Sequence, residues 1–286
     1  MTRFKVASGL SVAADVGGDP AGPPVVLLHG GGQTRHSWRG AFDALVKAGH
    51  HVVALDARGH GESEWDPEGD YSIDALVSDL LSVLEQTPPL PVLVGASLGG
   101  MTALAAVGEA AQPVARALVL VDVTPRLDAE GSEHIAAFMR AHGDGFESVQ
   151  QAADAVAEYL PHRRRPRDLS GLERNLRLRD GRFYWHWDPR LLTTGAADHE
   201  TVQSRLEAAT RRLRVPTLLI RGAQSNIVGE EQVAHFRALA PAAEYRTIAD
   251  AGHMVAGDRN DLFNQGILEF IERVGRGEVT ADDAAA

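Results

Sequence analysis

Ser97 stands in the run Gly95-Ala96-Ser97-Leu98-Gly99-Gly100, a serine surrounded by the smallest side chains. A tight strand-to-helix turn that thrusts one side chain outward tolerates only small neighbours, and a serine held that way is a candidate nucleophile. The same turn puts Ser97 at a helix N-terminus, where the Leu98 N–H points at any oxyanion formed on attack. The plain alternative is a helix N-cap with glycines for close packing. A serine hydroxyl is a poor nucleophile until a neutral imidazole takes its proton, so a histidine partner is required. Of the twelve histidines, His253 in the run Ala249-Asp250-Ala251-Gly252-His253-Met254-Val255 follows the last strand-like segment and precedes the last helical one. Gly30-Gly31-Gly32 after His29 closes an apolar strand, and glycines there free backbone N–H groups to face the strand ends. Gly31 is the expected second oxyanion donor, and His29 reads as a structural residue.

These residues reach one place only if the elements around them put them there. Residues 4–16 alternate around Ser8-Gly9 as an opening hairpin. The segments 25–30, 51–57, 91–97 and 115–123 are short apolar runs of the kind buried on both faces of a parallel sheet. Helical spacing falls between them at 36–49, 74–85 and 98–111. From Pro125 to about Thr210 the alternation stops, and segments such as 149–159 read as a helical insertion. It resumes with strands at 217–222 and 244–249 and helices at about 229–239 and 262–274. Strict alternation with right-handed crossovers predicts a doubly wound, mostly parallel α/β sheet. The expected division is a core of residues 1–124 and 211–275, a helical insertion of 125–210, and a frayed tail of 276–286. Ligands in such sheets bind at the carboxyl ends of strands, where Gly31, Ser97 and His253 all fall.

Composition narrows the partners. A chain of 286 residues with 44% hydrophobic and 23% charged residues has an ordinary globular balance. Its 28 basic against 39 acidic side chains give a net charge of -11, which opposes nucleic acid as a partner. The absence of cysteine excludes disulfides, thiolate catalysis and cysteine-ligated zinc. No signal-peptide pattern and no run of eighteen apolar residues stand out, so a cytoplasmic protein without a membrane segment is expected. His50-His51 at a strand start faces opposite sides and makes a poor chelate, and no dinucleotide fingerprint follows residues 25–30. No metal or other cofactor is expected; the expected partner is a small, apolar, ester-like molecule. The pattern fixes no oligomeric state.

Four segments, in order, resemble the α/β-hydrolase superfamily: residues 25–32 (VVLLHGGG), 56–63 (DARGHGES), 95–100 (GASLGG) and 251–255 (AGHMV). The resemblance covers the chain outside the insertion and tail. It implies the α/β-hydrolase fold, a helical cap inserted after strand six, a purely structural role for Arg58, His60 and Ser63, and a serine–histidine–acid triad. The family's usual acid lies in the loop after strand seven, which here reads Arg221-Gly222-Ala223-Gln224-Ser225-Asn226. Asn226 fills the acid slot without a charge, and in a serine protease the equivalent change lowers kcat by about 10⁴. Asp122, at the carboxyl end of strand six, is the expected replacement, since some branches of the family, haloalkane dehalogenases and certain lactonases among them, keep their acid there. Asp250 and Asp258 lie too close to His253 in the chain to reach its ring easily.

A serine in the nucleophile position argues against the dehalogenase and epoxide hydrolase branches, which use aspartate. The expected activity is cleavage of a small carboxylic ester, lactone or thioester through an acyl-enzyme on Ser97. Carbon–carbon hydrolases and cofactor-free perhydrolases of the same fold share these motifs, and a low-turnover binding or sensing protein is the alternative that Asn226 keeps open. Tyr184, Trp185 and Trp187, with Met254, are candidates for an apolar pocket wall. The duller reading of the aromatics is the insertion's own small core. The basic run 162–167 reads as a solvated loop.

Overall fold

The computed structural model describes residues 1–160, 168–192, 199–249, 251–253 and 260–280. Ten strands occur in chain order among them: β1 (Thr2–Lys5), β2 (Ser11–Gly17), β3 (Pro24–Leu28), β4 (His51–Leu55), β5 (Val92–Ala96), β6 (Ala117–Val121), β7 (Leu176–Arg179), β8 (Arg182–Trp185), β9 (Thr217–Gly222) and β10 (Glu244–Ile248). The α-helices are α1 (Arg39–Lys47), α2 (Ile73–Leu84), α3 (Leu98–Glu109), α4 (Ala129–Arg140), α5 (Val149–Tyr159), α6 (Ser170–Glu173), α7 (His199–Arg211), α8 (Glu230–Leu239) and α9 (Asn260–Gly275).

Eight strands form one sheet in the order β1-β2-β4-β3-β5-β6-β9-β10. The β1–β2 and β2–β4 pairs are antiparallel and the others parallel. Period-two alternation explains why the central strands read as unbroken apolar runs: Val26 and Leu28 of β3 enter one core, Val25 and Leu27 the other. The first core holds Val77, Leu80 and Val83 of α2, the alanines of α3, and Val233 and Phe236 of α8. The second holds Leu45 of α1 and Phe263, Ile267 and Phe270 of α9. Helices therefore cover both faces, as expected of a doubly wound sheet.

The structure departs from the sequence reading in three places. The insertion is not wholly helical: β7 and β8 form an antiparallel hairpin, Leu176 opposite Trp185 and Arg179 opposite Arg182. Asp180 and Gly181 at its turn both have positive φ (49° and 79°), the backbone of a type I′ turn that Asp-Gly favours. Helix α7, read with the insertion, packs on the core instead. Leu206 is buried among the core residues, and a Cβ on Gly108 of α3 would lie 2.3 Å from the Ala209 carbonyl oxygen. The segment after α9 is not frayed throughout: Val279 is buried in the second core, and the Glu278 N–H donates to the Arg273 carbonyl.

Candidate active site

Ser97 follows β5 directly, with φ 46° and ψ -115°. A normal N-cap has extended backbone and a side-chain bond into the first turn; Ser97 has neither, which removes the plain N-cap reading. Positive φ in a non-glycine residue is strained and persists only where the surroundings impose it. The glycines allow that imposition. A Cβ on Gly95 would meet the Gly99 carbonyl oxygen at 2.5 Å, one on Gly99 the Leu28 carbonyl oxygen at 2.4 Å, and one on Gly100 the Val123 side chain at 2.4 Å. The helix start is thereby pressed against β3 and β6, and Ser97 N–H donates to Val121 O at 3.2 Å.

The Gly30-Gly31-Gly32 loop lies beside it: a Cβ on Gly30 would sit 3.3 Å from the Ser97 Cβ. Leu98 opens α3, so its N–H has no acceptor within the helix. Among the described residues, no acceptor faces the Gly31 N–H either. Among the described residues, two backbone donors without an acceptor therefore lie beside Ser97.

Asp122 follows β6, again at positive φ (49°), and is fully buried. Its carboxylate accepts three hydrogen bonds: from His253 Nδ1 at 2.8 Å and Ser225 Oγ at 2.6 Å on Oδ2, and from Gly222 N at 3.1 Å on Oδ1. A buried carboxylate needs such partners. With Nδ1–H directed at Asp122, neutral His253 keeps its lone pair on Nε2, the nitrogen a base would use. Close packing brings His253 there. A Cβ on Gly222 would lie 2.2 Å from the Gly252 carbonyl oxygen, and Gln224 N–H donates to Ala251 O at 2.8 Å. Asn226 is exposed, and the loop residue that meets the acid is Ser225. Ser225 was missed in the sequence because that slot was read for a carboxylate and not for donors to one.

The insertion reaches the glycine loop through Trp187 and through Met139 of α4. A Cβ on Gly32 would meet Met139 Cε at 3.3 Å, Met139 Sδ at 3.4 Å and the Trp187 ring at 3.4 Å; one on Gly31 would meet Met139 Sδ at 3.8 Å. Trp187 stacks on Trp185 at 4.9 Å, and both belong to the insertion's own core with Phe146. Trp185 and Trp187 thus belong to the insertion's core, and Trp187 also has one edge on the glycine loop. Tyr184 alternates to the other face of β8, under Gly145 and against Arg179, so it does not join them. Met139 was missed because a lone methionine on a helix carries no motif. Met254, Asp250, Asp258 and the basic run 162–167 lie outside the described residues.

His29 and His60, read as structural, are buried, and so is His186. Burial holds all three below the ordinary histidine value, His60 down to about 3. Among the described residues, no group of three or more histidines and carboxylates could hold a metal ion, and no helix is long and apolar enough to cross a membrane.

A serine at a strained strand-to-helix turn, a glycine loop and an imidazole on a buried carboxylate gather at the carboxyl ends of parallel strands. The profile of the alpha/beta hydrolase fold family matches residues 23–259, and the chain belongs to that family. Among curated relatives, esterase Rv0045c of Mycobacterium tuberculosis is 33% identical over 276 residues, covering 89% of this chain and 84% of its own. The mouse sn-1-specific diacylglycerol lipase ABHD11 is 30% identical over 270 residues, covering 89% and 82%. Among solved structures, E-2-(acetamidomethylene)succinate hydrolase superposes with a TM-score of 0.84 over 95% of this chain and 98% of its own. At 23% identity that likeness concerns the fold.

Proposed function

We propose that this chain is a serine hydrolase of small carboxylic esters, with Ser97 as nucleophile, His253 as general base, Asp122 as triad acid, and the N–H groups of Gly31 and Leu98 as oxyanion donors. The observation that carries the reading is the 2.8 Å bond from His253 Nδ1 to the fully buried Asp122 carboxylate. The names of the relatives, an esterase and a lipase, support the ester bond as target.

In this reading the Ser97 hydroxyl proton passes to His253 Nε2 as Oγ attacks the ester carbonyl carbon. The carbonyl oxygen takes the negative charge and accepts from the two N–H groups, and Asp122 steadies the imidazolium. Collapse breaks the bond to the alcohol oxygen, which takes the proton from His253 and leaves. Water, deprotonated by His253, then attacks the acyl-enzyme; its proton returns to Ser97 Oγ as the acid departs.

The inserted segment serves as the cap, and Met139 and Trp187 wall the acyl side of the loop. Their closeness to Gly31 and Gly32 favours short, uncharged acyl groups. A fluorophosphonate probe tests the nucleophile: rapid labelling of the wild type that disappears in Ser97→Ala is expected, and no labelling of the folded protein contradicts it. For the acyl wall, Met139→Ala should shift the preferred p-nitrophenyl ester to a longer chain, raising kcat/KM for octanoate relative to butyrate roughly tenfold. An unchanged chain-length profile would remove Met139 from the pocket.

A further inference from the structure

Glycine is the residue least able to hold its own peptide planes, and the loop expected to present an oxyanion donor has three in succession. Each of the three consecutive peptide groups is held by a different buried imidazole. The peptide joining Gly30 to Gly31 carries the proposed donor N–H; its carbonyl accepts from His29 Nδ1 at 2.8 Å. The N–H of the next peptide, on Gly32, donates to His60 Nε2 at 3.1 Å. The carbonyl of the third, Gly32 O, accepts from His186 Nε2 at 3.3 Å.

The far side of each ring is also engaged. His29 Nε2 accepts from Ala57 N–H at 3.0 Å, His60 Nδ1 donates to Arg58 O at 3.0 Å, and His186 Nδ1 accepts from Gly61 N–H at 2.8 Å. Backbone N–H groups only donate and carbonyls only accept, so these six bonds define one neutral tautomer per ring: Nδ1–H for His29 and His60, Nε2–H for His186. The rings are neighbours, at 5.0 Å from His29 to His60 and 6.0 Å from His60 to His186.

His29 and His60 come from the sheet core and its loop. His186 comes from the insertion, one residue past β8, and is 1% exposed. We infer that His186 is a positioning residue through which the insertion completes the oxyanion loop: by holding the Gly32 carbonyl it fixes the end of the segment that aims the Gly31 N–H. Neighbouring bonds reinforce the dock, with Asp188 N–H on Gly59 O at 2.9 Å and Tyr71 Oη–H on the Asp188 carboxylate at 2.6 Å. The insertion is then part of the catalytic frame as well as a pocket wall.

The inference rests on Gly31 as an oxyanion donor, and two near-isosteric variants test it. Glutamine at 186 places an amide N–H₂ where Nε2–H was, toward Gly32 O. Asparagine reaches only the Nδ1 position, toward Gly61 N–H. With p-nitrophenyl acetate, His186→Asn should lower kcat about tenfold or more with KM within about twofold, since a misaimed donor weakens only the transition state. His186→Gln should keep kcat within about threefold of the wild type. Equal kcat in the two variants, or a loss confined to KM, overturns the proposal. Ser97→Ala belongs in the same panel: if it still hydrolyses the ester, the nucleophile reading fails, whereas an inactive Ser97→Ala beside unaffected His186 variants sinks this inference alone. Should neither variant fold, imidazole nitrogen NMR of the wild type decides: His186 protonated on Nε2 and bare on Nδ1 at neutral pH agrees, and the opposite tautomer or a charged ring does not.

Discussion

The loops after β6 and β9 leave adjacent strands at the same sheet edge, and each offers one residue for the role of triad acid. Asp122, after β6, is fully buried and takes hydrogen bonds from an imidazole, a hydroxyl and a backbone N–H. Asn226, after β9, is exposed, and its loop contributes the Ser225 hydroxyl, and the end of β9 the Gly222 N–H, to the other loop's carboxylate. In the proposed site one loop supplies the carboxylate and the other donates hydrogen bonds to it. Position in a motif therefore says less about a residue's task than the burial and partners the fold gives it.

The largest effect should come from exchanging the two residues. Asp122→Asn/Asn226→Asp should stay about 10⁴-fold below the wild type in kcat, because an exposed carboxylate at 226 does not replace one buried against Nδ1. Recovery to within tenfold would mean that the β9 slot serves equally well. The contrast between buried and exposed polar groups also predicts a pH dependence of stability. His29, His60 and His186 are held neutral by burial, whereas the unfolded chain protonates them below about pH 6.5. Unfolding then takes up protons, so stability falls as pH drops below that value, until each imidazole's own lowered value in the folded state is reached. Urea midpoints measured at pH 7, 5.5 and 4.5 should decline steadily; a flat series contradicts the neutral assignment.

Ser225→Ala probes the orienting loop with the charge left in place. Loss of one hydrogen bond to a carboxylate should lower kcat about tenfold, with KM little changed. A Ser225→Ala enzyme with wild-type kcat would reduce that loop to a spectator. Asn226→Asp should have the smallest effect, leaving kcat within about twofold, in keeping with surface substitutions away from buried networks.

Much of this was legible in the sequence. Unbroken apolar runs separated by helical spacing gave the sheet, because strands buried on both faces have few other compositions. Small residues around Ser97 pointed to the tight turn, because it leaves no room for a Cβ at Gly95, Gly99 or Gly100. The topology then put Ser97, Asp122 and His253 on one edge. The β7–β8 hairpin was missed although Arg179-Asp180-Gly181-Arg182 is a turn signal, because Leu176–Arg179 and Arg182–Trp185 are too short for periodicity to register. Ser225, Met139 and His186 were missed for a different reason. Each meets the site through contacts with residues distant in sequence, and no local pattern encodes such contacts.

The claim at the centre is that the carboxylate supporting His253 is Asp122. The most direct test is kcat for Asp122→Asn on p-nitrophenyl acetate, with folding checked by circular dichroism. A folded protein whose kcat falls by about 10⁴ is expected. A folded Asp122→Asn protein that hydrolyses the ester at the wild-type rate would contradict it.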